Sequence, residues 1–258
     1  MTYLQEDNAL KVDTYHSIQY LYQVIGNYEQ ALTYGLTYLH LAEKLYSETD
    51  TKLAAAYNNV AITYYYSGDY QQALSYAKRA IAICEKVLEA EDFDVATSYN
   101  NIANTYIYLG DYEQALSYAK KSIAILEKVL GAEHPNVATA YTTIAFIYNN
   151  LGDYEQALSC AKKGIVIREK VLGSEHPDLA SSYNNIAYTY SYLTDLENAL
   201  AFEKKAILID KKVYQENHPI RKSHLRTMKY LLANAKGKVA KELLAEYEEW
   251  LGEVVKNE

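Results

Sequence analysis

The residue types able to do chemistry in this sequence recur at a fixed interval instead of converging. His134, His176 and His218 each precede a proline, one every 42 residues. One imidazole per parallel loop does not gather the three or four ligands that a metal site needs. Earlier in the chain Asp50 and Asp92 hold the same slot, so capping of the following helix is the expected role, with Pro135, Pro177 and Pro219 at its first position. Cys84 and Cys160 have neither CxxC nor metal-ligand spacing and read as reduced thiols of a cytosolic protein. Glu85, Glu127 and Glu169, each followed by Lys, are expected as solvated charge on helix faces. No phosphate-binding glycine loop, no G-x-S-x-G elbow and no cysteine with a plausible base is present. The expectation is a protein that is not an enzyme, with no catalytic residue, cofactor or metal ligand.

A repeat sets this spacing. GDYEQALS occupies 110–117 and 152–159, and GDYQQALS occupies 68–75. Gly26, Gly68, Gly110, Gly152 and Thr194 share one column, and Ala31, Ala73, Ala115, Ala157 and Ala199 share another. Each unit holds two apolar patterns of helical period, such as VATSYNNIANTYIYL (95–109) and YEQALSYAKKSIAILEKVL (112–130). Between them Gly110 suits the left-handed end of one helix and Asp111 the N-cap of the next, with Gln114 completing a capping box. Gln72 and Gln156 repeat that box with Asp69 and Asp153, and Gly131 and Gly173 end the second helices. The units run about 10–50, 51–92, 93–134, 135–176 and 177–218, within a repeat region of 1–218. Residues 219–258 lose the Ala-Leu pair and read as a degenerate sixth helix pair that caps the array, packing through Leu243, Leu244, Tyr247, Trp250 and Leu251. Residues 1–6 have no partner in the register, and a frayed end is expected there.

Twenty-five Lys plus Arg stand against 33 Asp plus Glu, a net charge of −8, so no positive field exists to collect nucleic acid or anionic lipid. A basic partner is mildly favoured. No run approaches the roughly 18 apolar residues of a membrane span, and MTYLQEDNALK lacks the order of a signal peptide; a soluble, cytoplasmic protein is expected. The 29 Tyr beside 3 Phe and 1 Trp must serve a periodic purpose. Two columns are complete: Tyr15, Tyr57, Tyr99, Tyr141, Tyr183, and Tyr22, Tyr64, Tyr106, Tyr148, Tyr190.

The order Tyr99, Ile102, Ala103, Tyr106, Gly110, Asp111, Tyr112, Ala115, followed by Ile123 and Ile125, resembles the tetratricopeptide repeat. Ordinary repeats of that family run to about 34 residues. The longer unit, with YNNIA, GDYEQAL, EKVLG and EHPDLA, is similar to the repeats of kinesin light chain and of bacterial proteins built like it. The resemblance covers residues 10 to 220 and implies an all-α fold. That fold is an α-solenoid: a right-handed superhelix of antiparallel helix pairs, five units plus a C-terminal capping pair. It implies that both tyrosine columns fill the space between the helices of a pair. It also implies that the first helices line a concave wall. Facing that wall would be Asn58, Asn100, Thr142 and Asn184; Tyr20, Ile62, Asn104, Phe146 and Tyr188; and Tyr65, Tyr66, Tyr108, Asn149, Asn150 and Tyr192.

Helical geometry agrees, since Asn100 and Asn104, like Asn184 and Tyr188, are four apart and share a face. A carboxamide offers donor and acceptor to an extended peptide backbone, and tyrosines between the amides wall off side-chain pockets. The second Asn of each pair, Asn59, Asn101 and Asn185, is expected as a buried amide bonding between helices. His16 and Thr142 interrupt the amide ladder. The groove slots hold almost no Lys or Arg, so the resemblance does not extend to a two-carboxylate clamp. An acidic ligand would have to use Arg221, Lys222, Arg226 and Lys229, which read equally as a solvated face. The expected function is a scaffold that binds a peptide or protein segment in this groove, with no membrane partner. The alternatives are a regulatory or sensor segment of a larger signalling or defence protein and, against the net charge, a binder of single-stranded RNA.

Overall fold

A computed structural model describes residues 2–87, 92–235, 239 and 241–256. These residues form twelve helices and no strand. The chain divides into two compact units, residues 1–131 and 132–258. The first holds α1 (Thr2–Val24), α2 (Tyr28–Leu45), α3 (Thr51–Ser67), α4 (Tyr70–Val87), α5 (Phe93–Leu109) and α6 (Tyr112–Leu130). The second holds α7 (Pro135–Leu151), α8 (Tyr154–Leu172), α9 (Pro177–Tyr192), α10 (Leu196–Val213), α11 (Pro219–Ala235) and α12 (Lys241–Lys256). Within each unit every helix packs antiparallel on its neighbour in the chain, and α3 also meets α5, α7 meets α9, and α9 meets α11. α1 is already helical at Thr2, so residues 2–6 continue the first helix instead of fraying.

The joints inside a pair are built from the backbone outwards. Gly68, Gly110 and Gly152 adopt φ of 88°, 77° and 80°. At one joint the Gly110 N–H bonds the Ile107 carbonyl and the Asp111 N–H bonds the Tyr106 carbonyl, the paired bonds of a Schellman ending. Asp111 then caps α6 by accepting from the Gln114 backbone N–H at 3.1 Å. The full capping box does not form, because the N–H that the Gln114 side chain would reach is already spent on Tyr106. Asp69 and Asp153 give their N–H groups to Tyr64 and Tyr148 in the same way. One residue thus ends a helix with its backbone and begins the next with its side chain. Thr194 takes the glycine position with φ 61°. At the joints between pairs, Nδ1 of His134 and of His176 accepts from the backbone N–H two residues on, and Pro135 and Pro177 open α7 and α9.

The tyrosines are shared between core and rim. Tyr99, Tyr106, Tyr183 and Tyr190 are buried, whereas Tyr15, Tyr57, Tyr141 and their column mates Tyr22, Tyr64 and Tyr148 are half-buried. A further column on the second helices, Tyr34, Tyr76, Tyr118 and Phe202, packs between them. Its rings lie 5.5, 5.4, 5.7 and 5.5 Å from Tyr22, Tyr64, Tyr106 and Tyr190. The glutamates expected in solvent are partners of this core: Tyr99 donates to Glu85 and Tyr183 to Glu169, as Tyr57 does to Glu43. Glu85 and Glu169 are exposed, as expected, and each also accepts a hydrogen bond from a core tyrosine. A glutamate at the end of a second helix stands beside the next first helix, within reach of a phenol that is apolar around its ring and polar at its tip. Lysines of the following second helices lie over the same rings, Lys121 Nζ being 5.1 Å from the Tyr99 centroid and Lys205 Nζ 5.4 Å from that of Tyr183.

In the second unit Ile186, Leu200, Ile207, Met228 and Leu231 are fully buried, and each such side chain contributes about 2 kcal/mol by leaving water. Tyr247 and Leu251 of α12 are buried against this cluster, with Leu243, Leu244 and Trp250 packed at its edge.

Candidate binding site

The first-helix faces present amides and phenols in both units. In the first unit, Ile62, Tyr65 and Tyr66 of α3 and Asn101, Asn104 and Thr105 of α5 line a pocket of about 200 Å³. Tyr108 packs on one of its lining residues, edge-on to Tyr65 at 5.2 Å, and stacks on Tyr70 at 4.8 Å. Burial, reinforced by the neighbouring Tyr108, pushes the Tyr65 hydroxyl well above the ordinary tyrosine value, so it stays a proton donor. Asn58 is half-buried and accepts from Asn101 Nδ2 at 3.3 Å, so one lone pair of its carbonyl is used within the protein. Asn100 is half-buried on α5, and Tyr20 of α1 is 60% exposed.

In the second unit a pocket of about 320 Å³ opens between α7 and α9, walled by Phe146, Asn149, Asn150, Asn185, Tyr188 and Tyr192. A second, of about 290 Å³, lies on the other side of Tyr188 and Tyr192, against Tyr230 and Asn234 of α11. Tyr192 is steadied by stacking on Tyr154 at 4.8 Å. Phe146 is half exposed, and the Asn150 amide donates to the Phe146 carbonyl. No Lys, Arg, Asp or Glu lines any of these three pockets.

Hydrogen-bond logic fixes one group in the larger pocket. The Thr189 hydroxyl donates to the Asn185 carbonyl, so it can only accept from Asn149 Nδ2, at 2.9 Å. Oδ1 of Asn149 is left as a buried acceptor without a hydrogen-bond partner among the described residues. Asn185, expected as a buried amide like Asn101, is exposed instead. In the column of Asn184 the preceding repeat has Thr142, whose oxygen already accepts from Arg168 Nη1 at 2.9 Å and whose proton goes to the Ala138 carbonyl.

Asn184 is tied inward: its Nδ2 donates to Glu203 Oε2 at 2.9 Å and to Thr227 Oγ1 at 3.2 Å. Arg168 and Glu203 were not singled out from the sequence, although each breaks its column. Arg168 follows Ala42, Cys84 and Leu126, and Glu203 follows Gly35, Ala77, Ala119 and Ala161. The expected basic cluster on α11 is incomplete. Lys222, Arg226 and Lys229 are exposed, but Arg221 is buried with Nη1 on the Tyr214 carbonyl, so it belongs to the packing of the helix start.

Stacked antiparallel helix pairs with polar first-helix faces define an all-α repeat protein of the solenoid class. Residues 14–86, 94–165 and 137–212 match the tetratricopeptide repeat family, and the chain belongs to that family. Among solved structures it is similar to the kinesin-light-chain-type, nearly identical TPR-like repeats of Podosopora anserina. The identity there is 23% and the TM-score 0.72, over 78% of this chain and 95% of that one. It is also similar to BtubC (BKLC) of P. vanneervenii, at 24% identity and TM-score 0.71, over 82% and 84%. A third likeness is to a STAND protein of Pyrococcus horikoshii with a tetratricopeptide repeat sensor. There the identity is 18% and the TM-score 0.72, over 97% of this chain but 38% of that one. No curated protein matches the sequence. Tetratricopeptide repeat proteins bind peptides or proteins. No helix among the described residues is long and apolar enough to cross a membrane.

Proposed function

We propose that this chain is a protein-interaction scaffold that holds an extended peptide or protein segment against the Asn- and Tyr-lined faces of its first helices. The observation that carries the reading is the paired pockets of the second unit, of about 320 and 290 Å³, separated only by Tyr188 and Tyr192. Each has the size of a side chain or two, walls of aromatic rings, and amides placed to meet a peptide backbone. Neighbouring first helices of a stack lie about 10 Å apart, so the two pockets would take residues roughly three apart on an extended segment. The uncharged walls give no purchase on phosphates, which disfavours RNA.

A displayed random-peptide library selected on the wild-type protein tests this. Selected peptides should bind the wild type and lose at least about tenfold in affinity, or about 1.4 kcal/mol, against a Phe146→Ala, Asn150→Ala variant of unchanged helicity. Both side chains are exposed, so the variant reads the groove and not the fold. Peptides that bind both proteins equally would move the site to another face.

A second reading, a sensor segment of a larger protein, is favoured by the likeness to the STAND protein's repeat sensor. The open reading frame around the gene decides it, since the reading requires further coding sequence in frame with this chain.

A further inference from the structure

Three slots that hold small or apolar residues in the other repeats, Arg168 excepted, are ionisable at the end of the array. Glu203 stands where Gly35, Ala77, Ala119 and Ala161 stand; Asp210 follows Ala42, Cys84, Leu126 and Arg168; His224 follows Ala56, Ser98, Ala140 and Ser182. All three are inside the second unit, with Glu203 and Asp210 0% exposed and His224 5%. Burying carboxylates costs several kcal/mol each unless they are paired, so the substitutions need a reason beyond packing.

We propose that Glu203, Asp210 and His224 form a pH-responsive latch that seats α11 and α12 on the α9–α10 pair. Glu203 and Asp210 lie seven apart on one face of α10. From α11, His224 Nδ1 meets Asp210 Oδ2 at 2.6 Å, and the buried Arg221 lies one turn before it. From α9 come no charges, only the Asn184 amide on Glu203 Oε2 and the Tyr188 hydroxyl, which shares Thr227 Oγ1 at 3.0 Å. The charged contact between α12 and α10, Glu246 with Lys204 at 3.8 Å, lies outside the cluster, with the Glu246 side chain largely exposed. Oε1 of Glu203 and Oδ1 of Asp210 have no hydrogen-bond partner among the described residues.

Burial pushes the Glu203 carboxyl up to about 7, with His224 and Asn184 pulling it down and Asp210 pushing it further up. A carboxyl whose folded value is raised favours the folded state while it holds its proton. That contribution is full below the unfolded value near 4.5 and is lost as pH rises through about 7. Above that point Glu203 carries a buried charge two turns from Asp210, with one oxygen unpaired. Parting of α11 from α10 admits water to both carboxylates and relieves the strain. Because Thr227 of α11 anchors Asn184 and Tyr188, the same event would free that end of the groove. This last consequence rests on the groove reading, whereas the latch itself does not.

Trp250 is the single tryptophan and packs at the edge of this cluster on α12, with Lys204 Nζ 5.1 Å from its ring. It reports seating without any ligand. Its emission, followed from about pH 4.5 to about pH 8.5 on the whole chain, should shift to the red between about 4.5 and about 7 and level off above that, and the thermal midpoint should fall over the same interval. Glu203→Gln retains an acceptor for Asn184 and cannot ionise, so both traces should be flat. Glu246→Gln, beside the reporter but outside the cluster, should keep the transition. If Glu203→Gln does not fold, Glu203→Ala, the residue of three other repeats, takes its place with the same flat trace expected. A wild-type protein without the transition, a Glu203 variant that retains it, or a Glu246 variant that loses it overturns the latch.

Discussion

At the scale of single residues, what each column does is clearest where one member departs from it. Thr194 holds φ 61° where glycine stands in the four preceding units. A β-branched residue in the left-handed region costs about 1–2 kcal/mol, and glycine loses roughly 0.5–1 kcal/mol more backbone entropy on folding. Thr194→Gly is therefore expected to stabilise the second unit by about 0.5–1 kcal/mol, read as a higher denaturant midpoint at unchanged slope. A lower midpoint would mean that the threonine side chain makes a contact worth more than its strain. The preference for Tyr over Phe has a similar local cause. Tyr99 is buried around its ring, and its hydroxyl donates to Glu85, with burial and that carboxylate holding the phenol protonated far beyond neutral pH. Tyr99→Phe should cost about 1 kcal/mol, the usual net worth of one such bond, with no change in helicity. A Glu85→Gln variant should remove part of the same energy, and a double-mutant cycle of the two measures their coupling.

At the scale of helices and joints, the sequence is legible wherever the physics is local. Gly110, Asp111 and the apolar period around them mark the end of α5 and the start of α6 within a few residues, and His134 with Pro135 does the same for α7. The capping box misled because it counts side chains and not N–H groups, and the Asp111 N–H was already bonded to Tyr106. The consequence is measurable. Asp111→Ala should cost about 1 kcal/mol, whereas Gln114→Ala should change stability by a few tenths at most; equal losses would show that the reciprocal bond forms in solution. Groups 19 or 40 residues apart were not legible in the same way. That Asn149 would anchor on Thr189, or Asn184 on Glu203, depends on which helix faces meet, and no local pattern states it. The signal that could have found them is departure from a column. A charge in a slot of alanines, as at Glu203, marks a place where the repeat has been put to another use.

At the scale of the molecule, contacts within each unit are made along the chain: helices pack on their immediate neighbours, and first helices meet across one pair. In such an arrangement stability is close to a sum of pair energies and pair-to-pair interfaces, so a run of pairs with its own core is a folding unit. Residues 132–258 satisfy that condition, because the cluster from Ala145 to Val254 closes among α7–α12 and takes in both α12 and its tryptophan. Expressed alone, this segment is expected to melt cooperatively, with Trp250 emission and far-ultraviolet circular dichroism giving coincident transitions. It also retains both pockets that carry the groove reading. A peptide selected on the whole chain that contacts only these pockets should bind the segment within a few-fold of its original affinity. Cooperative melting with binding lost would place necessary contacts on residues 1–131, where Asn58, Asn100, Asn104 and the Tyr65–Tyr108 cluster lie. Non-coincident transitions would show instead that the segment needs the first three pairs to fold. Retained and lost binding thus separate a site carried by the second unit alone from one that also needs residues of the first.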